Sequence, residues 1–229
     1  MRMIEIAGLT PFTTVDYPGK LSAVIFCQGC SWRCGYCHNP HLQPFGKGKI
    51  PWKEVLDFLQ ERRGFLDAVV FSGGEPSLQK HLPAAMSEVK KLGYQIGLHT
   101  AGIHPHALKP CLPFVDWVGM DIKAPFEEYE RVTKIPQSGP KVKDSVQLVV
   151  ESKVSYEFRT TVHPLLLSPS DIIRMADQLS QMHVKHYVLQ KFRPNGCNDK
   201  DLNKPPFDII WSDPFLLQLK EKFESFFVR

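Results

Sequence analysis

Six short apolar runs, each followed by a stretch with the 3.6-residue period of an amphipathic helix, limit how this chain can fold. The runs are 22–27, 68–72, 95–99, 117–121, 155–162 and 187–191. Most are β-branched or aromatic and nearly continuous in apolar residues, as parallel strands covered on both faces are. Helical periodicity falls at 51–62, 77–92, 105–108, 126–132, 142–152, 170–182 and 214–227. In the first of these, Val55, Leu56, Phe58 and Leu59 share one stripe and Pro51 suits an opening turn. Strand and helix in strict alternation predict an α/β fold with right-handed crossovers. Six units suggest a partial (β/α)6 TIM-like barrel, although a doubly wound open sheet has the same pattern. The 229 residues read as a single domain, with 195–213, which holds Gly196 and Pro205-Pro206, as a long loop before a last helix.

Composition narrows the function classes. Hydrophobic residues are 43% and charged residues 23%, the balance of a folded domain with a substantial core, which excludes a largely disordered chain. The net charge of +4 is spread along the chain without a run of like charges, so no nucleic-acid footprint is present. No apolar stretch approaches the length of a membrane span, and Met1-Arg2-Met3-Ile4-Glu5 lacks a signal-peptide core; the expected location is the cytoplasm.

Four of the six cysteines, Cys27, Cys30, Cys34 and Cys37, follow the first strand directly. That is the end of the strand where β/α folds keep their chemistry. Thiols clustered in a reducing compartment point to metal. Two readings are open. If all four bind, the site is structural zinc, which is usually built from two separated Cys-x2-Cys pairs. If only Cys30, Cys34 and Cys37 bind, an iron–sulfur cubane keeps one iron free for a substrate or cofactor. Cys111 and Cys197 stand alone and read as packing residues.

Cys30-x3-Cys34-x2-Cys37, with Tyr36 before the last cysteine, resembles the signature of the radical S-adenosylmethionine (SAM) enzymes. The wider strings Phe26-Cys27-Gln28-Gly29-Cys30 and Cys34-Gly35-Tyr36-Cys37-His38-Asn39-Pro40 resemble the activases of glycyl radical enzymes. Together with the opening Gly8-Leu9-Thr10-Pro11-Phe12-Thr13-Thr14-Val15-Asp16-Tyr17-Pro18-Gly19, they are similar to the longer type of anaerobic ribonucleoside-triphosphate reductase activating proteins. The resemblance spans most of residues 4–194. It implies a radical SAM partial barrel, one [4Fe-4S] cluster on Cys30, Cys34 and Cys37, and Cys27 as a strand-end core residue. No second cluster is expected, because the next cysteine after Cys37 is Cys111.

The resemblance also marks the remaining site residues. Gly73-Gly74-Glu75-Pro76 ends the second strand; its glycines allow close main-chain approach to a ligand, and in the family this segment binds the amino group of SAM. Met120-Asp121-Ile122-Lys123 resembles the activases' Asp-x-Lys segment, near the methionyl end of SAM and a bound monovalent cation. Arg159 stands where the activases carry an arginine toward SAM's carboxylate or ribose. Tyr36 and Thr100 complete the expected cofactor set. His99 replaces a carboxylate of the family's Asp-Thr-Asn-Gly, and Phe192 replaces a histidine. His38 shapes the cysteine loop, whereas His104, His106, His183 and His186 read as ordinary surface or core residues.

The chemistry implied is reductive cleavage of SAM, with an electron from a flavodoxin or ferredoxin, to a 5′-deoxyadenosyl radical. This radical removes hydrogen from a backbone glycine of anaerobic ribonucleotide reductase, and 195–213 forms part of the docking rim. Two other readings compete: a radical SAM enzyme for a small molecule, similar to the 7-carboxy-7-deazaguanine synthases, and a non-enzymatic zinc module.

Overall fold

The computed structural model describes residues 4–205 and 211–229. Eight strands form one sheet in chain order: β1 (Ile6–Thr13), β2 (Ser22–Cys27), β3 (Ala68–Gly73), β4 (Gln95–Thr100), β5 (Trp117–Asp121), β6 (Ser155–Val162), β7 (His186–Lys191) and β8 (Ser225–Val228). β1 is antiparallel to β2, and every later pair is parallel. A doubly wound sheet must reverse its strand order partway, and this one never does. The fold is therefore the expected partial barrel, left open between the edge strands β1 and β8.

The helices are α1 (Trp52–Glu61), α2 (Leu82–Lys91), α3 (Pro105–Leu108), α4 (Tyr129–Thr133), α5 (Ser138–Glu151), α6 (Pro169–Gln181) and α7 (Asp213–Lys220). They cover the outer face. Alternate strand residues such as Ile25, Phe71, Leu98, Met120 and Phe158 point outward and are buried with helix residues including Leu59, Met86 and Val146. The opposite alternation faces the lumen, where Val24, Ala68, Val70 and Trp117 form a smaller apolar cluster. Tyr17, from the connection between β1 and β2, closes this lower lumen by packing on Trp117 at a centroid distance of 5.3 Å.

All six expected strands form. Two further strands carry no clear sequence signal. β1 contains Gly8 and Pro11 and is irregular in register between Ile6 and Gly8 and between Thr10 and Thr13, so its alternation is broken. The expected helix at 214–227 is corrected: α7 stops at Lys220 and Ser225–Val228 joins β7 as β8. Phe215, Leu219, Phe223 and Phe226 continue a helical spacing on paper. The free edge of β7, however, offers a ladder, and Phe226 packs on Tyr187 and Phe223. Within the expected long loop, 195–205 is built of turns, and 206–210 lie outside the described residues.

Candidate active site

The cysteine loop is fastened on three sides. Gly29 and Cys30 donate their backbone N–H groups to the carbonyls of Leu42 and Gln43 at 2.8 and 2.9 Å. Gly29 has φ +100°, and a Cβ there would meet the Phe45 ring at 2.7 Å, so this turn requires glycine. Trp32, nearly buried, packs edge-on against Tyr129 at 5.8 Å, and the Arg33 guanidinium donates to the carbonyls of Cys30 and Trp32. The third fastening is the turn after β7. The Cys197 thiol donates to the Gly35 carbonyl, and Gly196 lies so close to the His38 carbonyl that a Cβ would come within 2.3 Å. His38 in turn bonds the Arg193 carbonyl at 2.9 Å and stacks on Phe192.

Cys30, Cys34 and Cys37 line one cavity; Cys27 does not. Cys27 is 0% exposed among core residues, and burial pushes its thiol strongly up, so it stays protonated. Burial also raises Cys30, to about 12, and Cys34, while Lys123 opposes the shift at both. Such thiols ionise when a metal displaces the proton. Among the described residues no three His, Cys, Asp or Glu side chains already converge on an ion-sized point. The donor set suits a group with three thiolate ligands and one open position rather than a four-thiolate zinc site, because the fourth thiol is in the core.

At the end of β3, Gly73 has φ +114°, and a Cβ there would strike the Cys27 backbone at 2.4 Å; one on Gly74 would strike the Gly29 carbonyl at 2.3 Å. The two glycines are thus needed so that this turn can lie against the cysteine loop. Gly74 and Glu75 donate their N–H groups to the carbonyls of Cys27 and Gly29, each at 2.9 Å. Both glycines line the cavity, but the Glu75 side chain does not. It is 1% exposed, and its carboxylate accepts from the Ser77 N–H and hydroxyl, the Thr100 hydroxyl at 2.7 Å and the Ala101 N–H at 2.8 Å. Three of these donors converge on Oε1 and one on Oε2, which turns the carboxylate inward. Glu75 therefore ties β3 to the end of β4, and it holds Thr100, which does line the cavity.

The opposite wall carries charge. Asp121, the last residue of β5, meets Arg159 of β6 at 3.1 Å and Lys123 at 3.3 Å. Arg159 also donates to the Gly119 carbonyl, and Lys123 lies over the Tyr36 ring at 5.2 Å. Although burial alone would raise the Asp121 carboxyl, the two cations hold it down, to about 2. Lys123 stays charged for the reciprocal reason, being raised by Tyr36 and Asp121 despite burial. His99 behaves differently. Burial first, then the Arg159 guanidinium, lowers it to about 3, so its ring is neutral. Its Nε2–H donates to the Asp16 carbonyl at 2.8 Å, and Nδ1 faces the Ser72 hydroxyl at 3.5 Å. One carboxylate against two cations leaves this wall one positive charge in excess.

These residues surround a cavity of about 770 Å³. Of the expected site residues, the three cysteines, Tyr36, Gly73, Gly74, Thr100, Asp121, Lys123 and Arg159 line it, and Glu75 stands behind it. Phe192 packs between His38 and His163 and does not line it. Several groups on its walls had no assigned role in the sequence, among them the Thr14–Asp16 stretch, Thr161 of β6, Gln190 and Lys191 of β7, Arg193, and Arg229. The Asp16-Tyr17-Pro18-Gly19 turn was a usable signal for the first; Arg229 had none, since it depends on β8.

Comparison with known proteins agrees with this architecture. Residues 24–179 match the Radical SAM superfamily. The chain is 31% identical over 211 residues to MJ1227 of Methanocaldococcus jannaschii, whose name places it with the glycyl-radical enzyme activating enzymes; the match covers 88% of this chain and 85% of that one. It is 32% identical to a pyruvate formate-lyase-activating enzyme of Clostridium pasteurianum, over 76% of this chain and 75% of the relative. Among solved structures, Streptococcus suis SuiB bound to its precursor peptide SuiA superposes with a TM-score of 0.66 at 12% identity. That likeness covers 89% of this chain and 48% of SuiB, and it is one of fold. No helix among the described residues is long and apolar enough to cross a membrane. With three thiols on one cavity wall and these relatives, the chain belongs to the radical SAM superfamily, enzymes that use a [4Fe-4S] cluster and SAM, and it groups with the activating enzymes of glycyl radical enzymes.

Proposed function

We propose that this chain activates an anaerobic ribonucleoside-triphosphate reductase in the cytoplasm by generating a radical on one of its backbone glycines. The observation that carries the reading is the shape of the cavity. It runs from the cysteine loop to residues beside both edge strands of the sheet, Val15 after β1 and Arg229 beyond β8, so a polypeptide can reach it from the side. A closed barrel would not admit one.

When bound, the cluster and SAM supply a 5′-deoxyadenosyl radical after one electron arrives from a flavodoxin or ferredoxin. The protein's task is placement. Cys30, Cys34 and Cys37 would hold the cluster from one loop on the cavity wall. Gly73, Gly74 and Thr100 offer close main chain and a hydroxyl to the methionyl end. The excess positive charge of Lys123 and Arg159 over Asp121 suits a carboxylate, with Arg159 contributing a planar fork. Tyr36 shields Lys123 from water and keeps its ammonium in position. A monovalent cation beside Asp121 would join two protein cations there; assay without Na⁺ and K⁺ tests for it.

The test is anaerobic reconstitution followed by reduction with SAM present, measuring 5′-deoxyadenosine with and without the reductase. Formation stimulated by the reductase supports the proposal. Formation indifferent to the reductase but stimulated by a small purine-like substrate supports the small-molecule reading, and a zinc-loaded protein inactive in both assays supports the zinc module.

A further inference from the structure

β8 brings one residue into the cavity that the cofactor set above does not use. Phe226 packs outward against Tyr187 and Phe223, so the period of two along the strand turns Phe227 and Arg229 toward the lumen. Arg229 is pinned through its backbone: its N–H donates to the Leu189 carbonyl and its own carbonyl accepts from the Lys191 N–H. The guanidinium is held as well. Nη2 meets Glu157 of β6 at 2.6 Å, and the Gln190 amide oxygen, turned toward it, accepts from Nε at 3.1 Å and Nη2 at 3.3 Å. Nη1 has no partner among the described residues, and the side chain is 45% exposed at the cavity wall.

The charge distribution says what such a group would take. Arg159 and Lys123 share one carboxylate, whereas Arg229 is paired one to one with Glu157, whose side chain is only 13% exposed, and Lys191 and Arg193 line the cavity beside it. With its charge already met by Glu157, the two N–H donors left on Nη1 suit a peptide carbonyl, which needs a hydrogen bond and no counter-charge. Phe227, 62% exposed on the same face though not itself lining the cavity, adds an apolar surface, and no strand among the described residues pairs with the far edge of β8. We propose that Arg229 and Phe227 form the site that grips the extended glycine-bearing segment of the substrate protein, with Arg229 Nη1 donating to a backbone carbonyl beside the glycine. This inference rests on the activase reading and names its substrate-binding residues.

The experiment measures glycyl-radical formation against reductase concentration for wild type, Arg229→Met, Arg229→Lys and Glu157→Gln. Loss of a hydrogen bond from a charged donor predicts a KM for the reductase raised about ten- to a hundredfold in Arg229→Met, with kcat changed less than threefold. Arg229→Lys should fall between. Glu157→Gln leaves Arg229 with an unbalanced charge, and should raise kcat/KM about tenfold for a reductase carrying Glu next to the radical glycine, relative to the native one. That shift in preference does not arise from a structural defect, and it decides the matter if Arg229→Met fails to fold. A KM within twofold of wild type in Arg229→Met, or no change of charge preference in Glu157→Gln, overturns the inference alone. A wild type that makes 5′-deoxyadenosine but never a glycyl radical on the reductase overturns the activase reading and this inference with it.

Discussion

The two walls of the cavity are built on opposite principles. On the β2–β4 side, Cys27, Gly73, Gly74 and Glu75 are packed against one another, and every polar contact of the Glu75 carboxylate is with protein. On the β5–β8 side, Asp121, Lys123, Arg159 and Arg229 make ion pairs that face open space. Both walls carry residues that a sequence motif marks as functional. The difference teaches that a motif identifies a place in the fold, while the donors already spent on a side chain decide whether it is available to a ligand.

Variants of the two kinds should therefore fail in different ways. The largest contrast lies within the cysteine loop. Cys34→Ala should lose the cluster outright, with iron–sulfur absorbance and activity both at background. Cys27→Ala should keep its cluster and lose only about 1–2 kcal/mol of stability from the buried void. Iron content and denaturant melts of the two separate these outcomes, and loss of iron in Cys27→Ala would break the contrast.

Next come the two carboxylates. Glu75→Gln puts an amide N–H₂ among donors and should cost about 1–3 kcal/mol in a urea melt. Asp121→Asn should cost less in the same melt and, because Lys123 and Arg159 lose the carboxylate that holds them in place, weaken SAM binding, measured by calorimetry on the reconstituted protein, by about tenfold. If Asp121→Asn is the more destabilising and Glu75→Gln leaves the melt unchanged, the division between the walls is wrong.

The last effect concerns pH. His99 is neutral in the folded protein with its pKa lowered to about 3, against about 6.5 in the unfolded chain. Between those values the unfolded state binds the extra proton, so stability rises with pH. Its contribution is fully present above about pH 6.5 and falls, by up to about 1.4 kcal/mol per unit, as the medium is acidified. His99→Gln should flatten the stability profile between pH 7 and 5, as read from urea midpoints, and an unchanged slope would show that His99 does not set it.

Much of the fold was legible because parallel strands buried on both faces are continuous apolar runs, and six of them stand out. β1 was not, since Gly8 and Pro11 interrupt it at an irregular edge, and β8 was not, since Phe223 and Phe226 satisfy a helical spacing until a free strand edge is offered. The site shows the same division. The cysteines, Asp121, Lys123 and Arg159 could be read from local strings at strand ends. Glu75 was found as a motif residue, but its four donors come from Ser77, Thr100 and Ala101, a convergence of two strand ends that no local string records. Nor did anything foretell that Cys197 and Gly196 clamp the cysteine loop, because that contact joins β7's turn to β2's. The loop after β7 therefore supports the cluster loop as well as being a candidate docking rim.

The central claim, that a backbone glycine of a partner protein gives up hydrogen in this cavity, is tested most directly with isotope. Anaerobic ribonucleotide reductase would be prepared with α-dideuterated glycine, incubated with the reduced, reconstituted protein and SAM, and the 5′-deoxyadenosine examined by mass spectrometry. The account predicts 5′-deoxyadenosine carrying one deuterium, formed in step with a glycyl radical signal on the reductase. Unlabelled 5′-deoxyadenosine with no radical on the reductase would contradict it.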